Sequence, residues 1–279
     1  MKTLPSFLCI GTQKAGTSWL YEQLRQHPNI WMPPIKELHY FDHLYCESSR
    51  NWSKWHIKHS AKRIIKHEIN SNNATNFDYI RYIASLASEP MLTEAWYKKA
   101  FDRPAAKNKV VGDITPEYCQ IGDEGISYLK GLLTDVKILW IIRDPFERML
   151  SQLRMNAERQ GVNEASPTEK WMELAYSPDI LSRGNYLDYI PRWEAQFSHD
   201  NLRYIPFKHI ADQASHVLQN IEDFIGVQNW DGYASPEKKI HATQSFDLPE
   251  EVKTYLQQQC QPQYDFLSIH FDADFVNAI

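Results

Sequence analysis

Gly11-Thr-Gln-Lys-Ala-Gly-Thr-Ser-Trp19, preceded by the apolar run Phe7-Leu-Cys-Ile10, decides the fold. A short apolar run that ends on glycine and passes straight into a helix-forming stretch reads as a strand-to-helix turn. Two glycines let the backbone bend sharply and bring its N–H groups against an anion. The helix beginning near Thr17 aims its partly positive end at the same point. The spacing from Gly11 to Gly16 matches the nucleotide loop G-x-x-x-x-G-K-[ST]. Here, however, Thr17 and Ser18 stand where that pattern has lysine and then a hydroxyl, and Lys14 lies inside the loop. In ATPases and kinases the hydroxyl after the lysine holds Mg²⁺ and the lysine reaches the terminal phosphates. A lysine within the loop can instead sit beside a bridging oxygen. Lys14, Ala15, Gly16, Thr17, Ser18 and Trp19 are therefore the first candidate phosphate-binding residues.

A second anion grip comes from Ile138-Leu-Trp-Ile-Ile-Arg-Asp-Pro-Phe-Glu-Arg-Met-Leu-Ser151. Its five apolar residues predict a buried strand of a parallel sheet. Arg143 follows at the strand's C-terminal end, where open α/β sheets place ligands. Asp144 and Pro145 then supply a cap and a first-turn proline for the next helix. The guanidinium of Arg143 offers a planar fork suited to phosphate, and Ser151, eight positions on, can add a hydroxyl.

Together the two segments resemble the cofactor motifs of the sulfotransferases that use PAPS, 3′-phosphoadenosine 5′-phosphosulfate. The resemblance implies a P-loop nucleotide-hydrolase-like fold, a three-layer α/β/α domain with a central parallel sheet. It also implies that Lys14, Gly16, Thr17 and Ser18 hold the 5′-phosphosulfate while Arg143 and Ser151 hold the 3′-phosphate. Lys36-Glu-Leu-His-Tyr-Phe-Asp42 resembles the stretch bearing the catalytic glutamate in the heparan sulfate 3-O- and N-sulfotransferase branch. By that resemblance Glu37 is the general base, His39 and Asp42 support it, and Lys14 balances the charge of the leaving phosphate. His39 is the second choice for the base, because other branches use histidine. Lys238 and Lys239 stand where the family carries a basic loop that closes over the nucleotide, and Ser182, Arg183 and Gly184 are candidates to line its pocket. One departure is plain. Where the heparan branch has a lysine before Thr-Pro, Val111-Gly-Asp-Ile-Thr-Pro116 has Ile114, which removes a cation from the expected site. The acceptor, whether glycan, lipid or small-molecule hydroxyl, is not legible.

Other readings of the same residues exist. Glu37, His39, Asp42 and His43 include acceptable metal ligands, but the resembling family transfers sulfuryl groups without a metal, so none is expected. A P-loop kinase using ATP and Mg²⁺ is an alternative, as is a non-catalytic nucleotide- or glycan-binding module. The displaced lysine speaks against the kinase.

Composition sets outer bounds. The 279 residues, 43% of them hydrophobic, supply a core for one large domain spanning 1–279, and a net charge of −5 argues against a nucleic-acid partner. No run nears the roughly 18 apolar residues of a membrane span, and four cysteines show no paired spacing, which together predict a cytoplasmic protein. Alternating elements are expected: a strand near 6–11, helix 17–27, strand 110–115, helix 123–133, strand 137–142 and helix 145–158. A mostly helical insertion at about 44–105 interrupts them. Within it Lys54, Lys58, Lys62 and Lys66 recur every four residues, a basic face near Trp52 and Trp55 that suits an anionic partner or plain solvation.

Overall fold

The computed structural model describes residues 4–71, 74–238 and 247–279. Its centre is a sheet of β1 Phe7–Gly11, β2 Ile30–Trp31, β3 Val110–Ile114, β4 Lys137–Ile142 and β5 Leu202–Pro206. All neighbouring strands run parallel, in the order β2-β3-β1-β4-β5. Parallel strands are covered on both faces and so need apolar side chains at both parities. Leu8, Ile10, Ile138, Trp140 and Ile142 pack into one helical layer, and Phe7, Cys9, Leu139, Ile141 and Ile205 into the other. The domain is thus a three-layer α/β/α sandwich. Phe7, Leu8 and Ile10 are fully buried, each burial contributing about 1.5–3 kcal/mol. Phe7 requires a neighbour without a side chain. A Cβ on Gly112, its partner in β3, would lie 2.0 Å from the Phe7 ring.

Helix α1, Thr17–Leu24, follows β1; then β2 leads into α2 Tyr40–Tyr45, α3 Glu47–Asn70, α4 Phe77–Leu86 and α5 Glu94–Ala100 before the chain returns to β3. Helix α6, Asp123–Leu132, joins β3 to β4, and α7 Pro145–Gln160, α8 Thr168–Ala175, α9 Pro178–Ser182 and α10 Tyr186–Glu194 join β4 to β5. Beyond β5 come α11 Phe207–Asp212, α12 Ala214–Ile225, α13 Glu250–His270 and α14 Ala273–Ala278. Helices α3 to α6 and α10 contribute to the first layer, α1 and α12 to the second. A third cluster joins α7, α8 and α13 beside the sheet. From β1 the chain moves out to the β2 edge and returns through β3. It then crosses β1 to reach β4, so β1 marks the reversal point where such sheets bind ligands.

Two strands escape sequence reading. β2 is only two residues long and is followed by Pro33 and Pro34, so no alternation develops. β5 begins Leu-Arg-Tyr and ends on Pro206, which breaks the apolar run that marks a buried strand. The helix expected over 17–27 ends at Leu24, because the amides of Gln26, His27 and Ile30 close tight turns after it. None of the described helices is long and apolar enough to cross a membrane.

Candidate active site

The loop after β1 folds into a tight turn whose shape suits an anion. Lys14 and Gly16 both take left-handed conformations, with φ of 70° and 84°. Such alternation turns successive N–H groups toward one point. Glycine is required at 16: a Cβ there would suffer the positive φ and press on Ile210 at 3.2 Å. Gly16 is also the cap of α1 and makes no side-chain capping bond. Among the described residues no carbonyl accepts from the amides of Gly16, Thr17, Ser18 or Trp19, whereas Leu20 already donates to Gly16 at 3.1 Å. Four consecutive donors at a helix N-terminus suit a phosphate or sulfate group. The Lys14 Nζ lies 3.7 Å from the Met155 sulfur on α7. Burial, with Arg143 and Arg159 nearby, lowers its pKa.

β4 pairs directly with β1, so Arg143 at its end meets the loop. Its Nη1 donates to the Lys14 carbonyl at 2.7 Å, its guanidinium stacks on Phe207 at 4.5 Å, and Nη2 lies 3.7 Å from Glu147. Its buried Nε has no hydrogen-bond partner. Asp144 caps α7 through the Glu147 amide at 2.8 Å, and Pro145 occupies the first turn. Ser151 lies two turns along α7 and is 7% exposed. The two candidate anion grips therefore sit side by side at the carboxyl ends of adjacent strands.

The third segment runs without regular structure from Lys36 to His39 and then opens α2 at Tyr40. Glu37 and His39 both have positive φ, 64° and 51°, an uncommon state for residues with a Cβ. The stretch is pinned from below by Asp113, which accepts from Tyr97 at 3.0 Å, Thr115 at 2.9 Å and Tyr118 at 2.8 Å. Tyr118 in turn accepts from the Tyr40 amide at 3.1 Å. Above that anchor His39 Nδ1 meets Asp42 Oδ2 at 2.9 Å, and His39 Nε2 lies 3.8 Å from Glu37 Oε2. Burial resists a charge on His39, but the Asp42 and Glu117 carboxylates override it and push its pKa up to about 10. His39 thus holds a proton at neutral pH and is not free to accept one. Burial favours the neutral acid at Glu37, yet Lys36, which is ion-paired to it, and His39 hold the carboxyl well below the usual range. Glu37 is an ionised carboxylate with a side chain 23% exposed.

A buried carboxylate unmarked in the sequence links loop and histidine. Glu117, just past β3, accepts from Gln13 at 3.0 Å and pairs with Arg183 at 3.4 Å. Its other oxygen lies 4.0 Å from His39 Nδ1 and has no hydrogen-bond partner. Arg183 also donates to Gln13. Burial raises the Glu117 pKa, opposed by His39 and Arg183. Gln13, Glu117, His39 and Glu37 thus form a row from the loop to the carboxylate, joined by one hydrogen bond of 3.0 Å and two charge contacts of 4.0 and 3.8 Å. Its only sequence signal was position: Glu117 directly follows the Thr-Pro that ends a central strand.

Other expected residues are placed as follows. The Trp19 side chain is buried, with its indole N–H donating to the Pro236 carbonyl at 2.6 Å, so only its amide is available to an anion. That bond ties the segment bearing Lys238 to α1. Lys238 is exposed, and Lys239 lies outside the described residues. Of the aromatic and apolar residues at helical spacing in and just after α10, Tyr186, Ile190 and Trp193 are fully buried and Phe197 nearly so, while Tyr189 is half-buried. His43 turns away to Ser53 at 2.7 Å, while His56 comes in. The side chains of Glu37, His39 and His56 offer ligand atoms within 4.8 Å of one another. A cation there would have to displace the Lys36 ammonium and the His39 proton.

A sequence profile of the sulfotransferase family matches residues 5–232. The chain belongs to the sulfotransferase family. The sulfotransferase is 26% identical over 166 residues to membrane-associated sulfotransferase kil1 of Dictyostelium discoideum. That match takes in 60% of the chain and 26% of the relative. It is 19% identical over 234 residues to mouse heparan sulfate glucosamine 3-O-sulfotransferase 3B1, covering 81% of the chain and 47% of the relative. The chain thus spans from a quarter to about half of the length of these curated relatives. In fold it is similar to a sulfotransferase from Alicyclobacillus acidocaldarius, with a TM-score of 0.65, 22% identity and 98% of each chain covered. It is also similar to the sulfotransferase domain of the curacin biosynthetic pathway, with a TM-score of 0.58, 14% identity, and 94% and 98% covered.

Proposed function

We propose that this sulfotransferase moves the sulfuryl group of PAPS to an acceptor hydroxyl, in line and with Glu37 as general base. The observation that carries the reading is the row of groups from the loop to Glu37, in which Gln13 donates to Glu117, and Glu117 and Glu37 flank His39 at 4.0 and 3.8 Å. The amides of Gly16 to Trp19 and Lys14 would hold the 5′-phosphosulfate, and Arg143 with Ser151 the 3′-phosphate. The unaccepted amides and the orphaned Arg143 Nε support that fit. Glu37 takes the hydroxyl proton as the acceptor oxygen bonds to sulfur. The bond from sulfur to the bridging oxygen breaks, and the electron pair leaves on the 5′-phosphate, where Lys14 offsets the charge. The protonated His39, held by Asp42, keeps Glu37 ionised and oriented. The acceptor must draw Lys36 off Glu37, since a carboxylate so paired is a weak base. The mouse relative is named for O-sulfation, which supports a hydroxyl over an amine. The four cysteines are free, three of them buried, which supports a reducing, cytoplasmic setting.

The test combines binding and turnover. Calorimetry with 3′-phosphoadenosine 5′-phosphate should give unchanged affinity for Glu37→Gln, while transfer of labelled sulfate to an acceptor panel slows by about 100-fold or more. Arg143→Ala should weaken nucleotide affinity by about 1–3 kcal/mol. Unchanged turnover in the first variant removes Glu37 from its role. Failure of the nucleotide to bind, with tight MgATP binding instead, overturns the reading.

A further inference from the structure

Away from this site, one side of α3 combines charge with exposed apolar side chains. Lys54 and Lys58 pair with Glu89, at 3.3 and 3.6 Å. Lys62, Arg63 and Lys66 are exposed and have no salt-bridge partner among the described residues. At 100° per residue, Trp55, Lys62, Lys66 and Ile69 fall within about 60° of one another around the helix. Trp55 is 61% and Ile69 57% exposed, and Phe77, which opens α4, is 70% exposed. The Asn76 amide donates to Glu68 at 3.0 Å, which sets Phe77 beside the far end of α3. Between α3 and α4 runs a groove of about 520 Å³, lined by Ala61, Ile65, Ile69, Ala84 and Ala87 together with Lys58, Lys62 and Lys66.

A solvated lysine stripe needs no groove, and a soluble polyanion needs no exposed isoleucine. A bilayer interface uses both: cationic heads on long stems over apolar walls, with tryptophan and isoleucine reaching past the headgroups. We infer that this face of α3 and α4 docks on an anionic lipid bilayer. Lys62 and Lys66 meet headgroup phosphates, and Trp55, Ile69 and the groove walls meet acyl chains. The neighbouring side of α3 carries Trp52 and His56 onto His39, with ring centroids 4.3 and 5.0 Å apart. Docking would therefore hold the candidate active site close to the membrane surface. The inference stands apart from the reaction proposed above.

Vesicle co-sedimentation tests it, comparing phosphatidylcholine alone with phosphatidylcholine containing about one third phosphatidylserine. The protein should bind the anionic vesicles only, and less as salt rises. Lys62→Gln with Lys66→Gln should lower partitioning about 30-fold, and Ile69→Ser about fivefold. All these positions are exposed, and unchanged thermal unfolding of each variant confirms its fold. Absence of binding to anionic vesicles overturns the inference. So does vesicle binding that is indifferent to Ile69→Ser and abolished by a soluble sulfated polysaccharide, which would mark a polyanion site instead.

Discussion

Asp42→Asn tests the electrostatics of the site directly. His39 is fully buried, and its pKa is pushed up to about 10 from an ordinary 6.5. At 1.36 kcal/mol per unit, that displacement favours the imidazolium by about 5 kcal/mol. Burial opposes this, and two carboxylates supply it: Asp42 at 2.9 Å and Glu117 at 4.0 Å. Removing the nearer one should lower the His39 pKa by about 1–3 units. The stability consequence has a definite sign. A group whose pKa is higher folded than unfolded stabilises fully below pH 6.5, and that contribution fades as pH rises toward 10. The wild-type protein should therefore lose stability between these limits, and Asp42→Asn should be less stable near pH 6.5 and flatter above it. Histidine ring resonances followed by NMR across the pH range give the pKa, and denaturant unfolding at several pH values gives the slope. A wild-type His39 that titrates near 6.5, or a variant that titrates where the wild type does, refutes the reasoning.

Three further outcomes follow from the geometry. Glu117→Gln should lower the His39 pKa by less than Asp42→Asn does, because its oxygen is farther away, and the same NMR titration ranks the two. Gly112→Ala should destabilise by about 2–4 kcal/mol in urea unfolding, since the new Cβ meets the Phe7 ring at 2.0 Å in the sheet centre. Gly16→Ala forces a Cβ into a positive φ and should cost about 1–2 kcal/mol of stability while weakening nucleotide binding in calorimetry.

The strands, turns and helices that carry both candidate anion grips are legible because each segment is contiguous. Phe7 to Trp19 and Ile138 to Ser151 each carry a strand, a turn and a helix start in one run, so local chemistry sufficed. The β2 and β5 strands were not legible, being short or proline-ended and held by their neighbours rather than by their own pattern. The path through Gln13, Glu117 and Arg183 joins residues from three separated segments, and no spacing rule brings them together. Lys36 carries no signal as an isolated charge in the sequence; only the fold pairs it with the carboxylate beside it. The family resemblance leaves His39 as a second choice for the base, and only the folded surroundings bear on its charge. The two carboxylates that favour its protonation, Asp42 and Glu117, lie some 75 residues apart in sequence yet meet at the same ring nitrogen, Nδ1.

The strand order has a consequence for biosynthesis. The first strand pairs with partners more than a hundred residues downstream, and such non-local pairing delays folding. On the ribosome the wholly apolar Phe7–Ile10 segment emerges early and must wait, without its neighbours, until Lys137–Ile142 has been made. For that interval it is a sticky peptide that a holdase chaperone would recognise. Expression yield should therefore respond to chaperone supply well before purified protein shows any loss of stability.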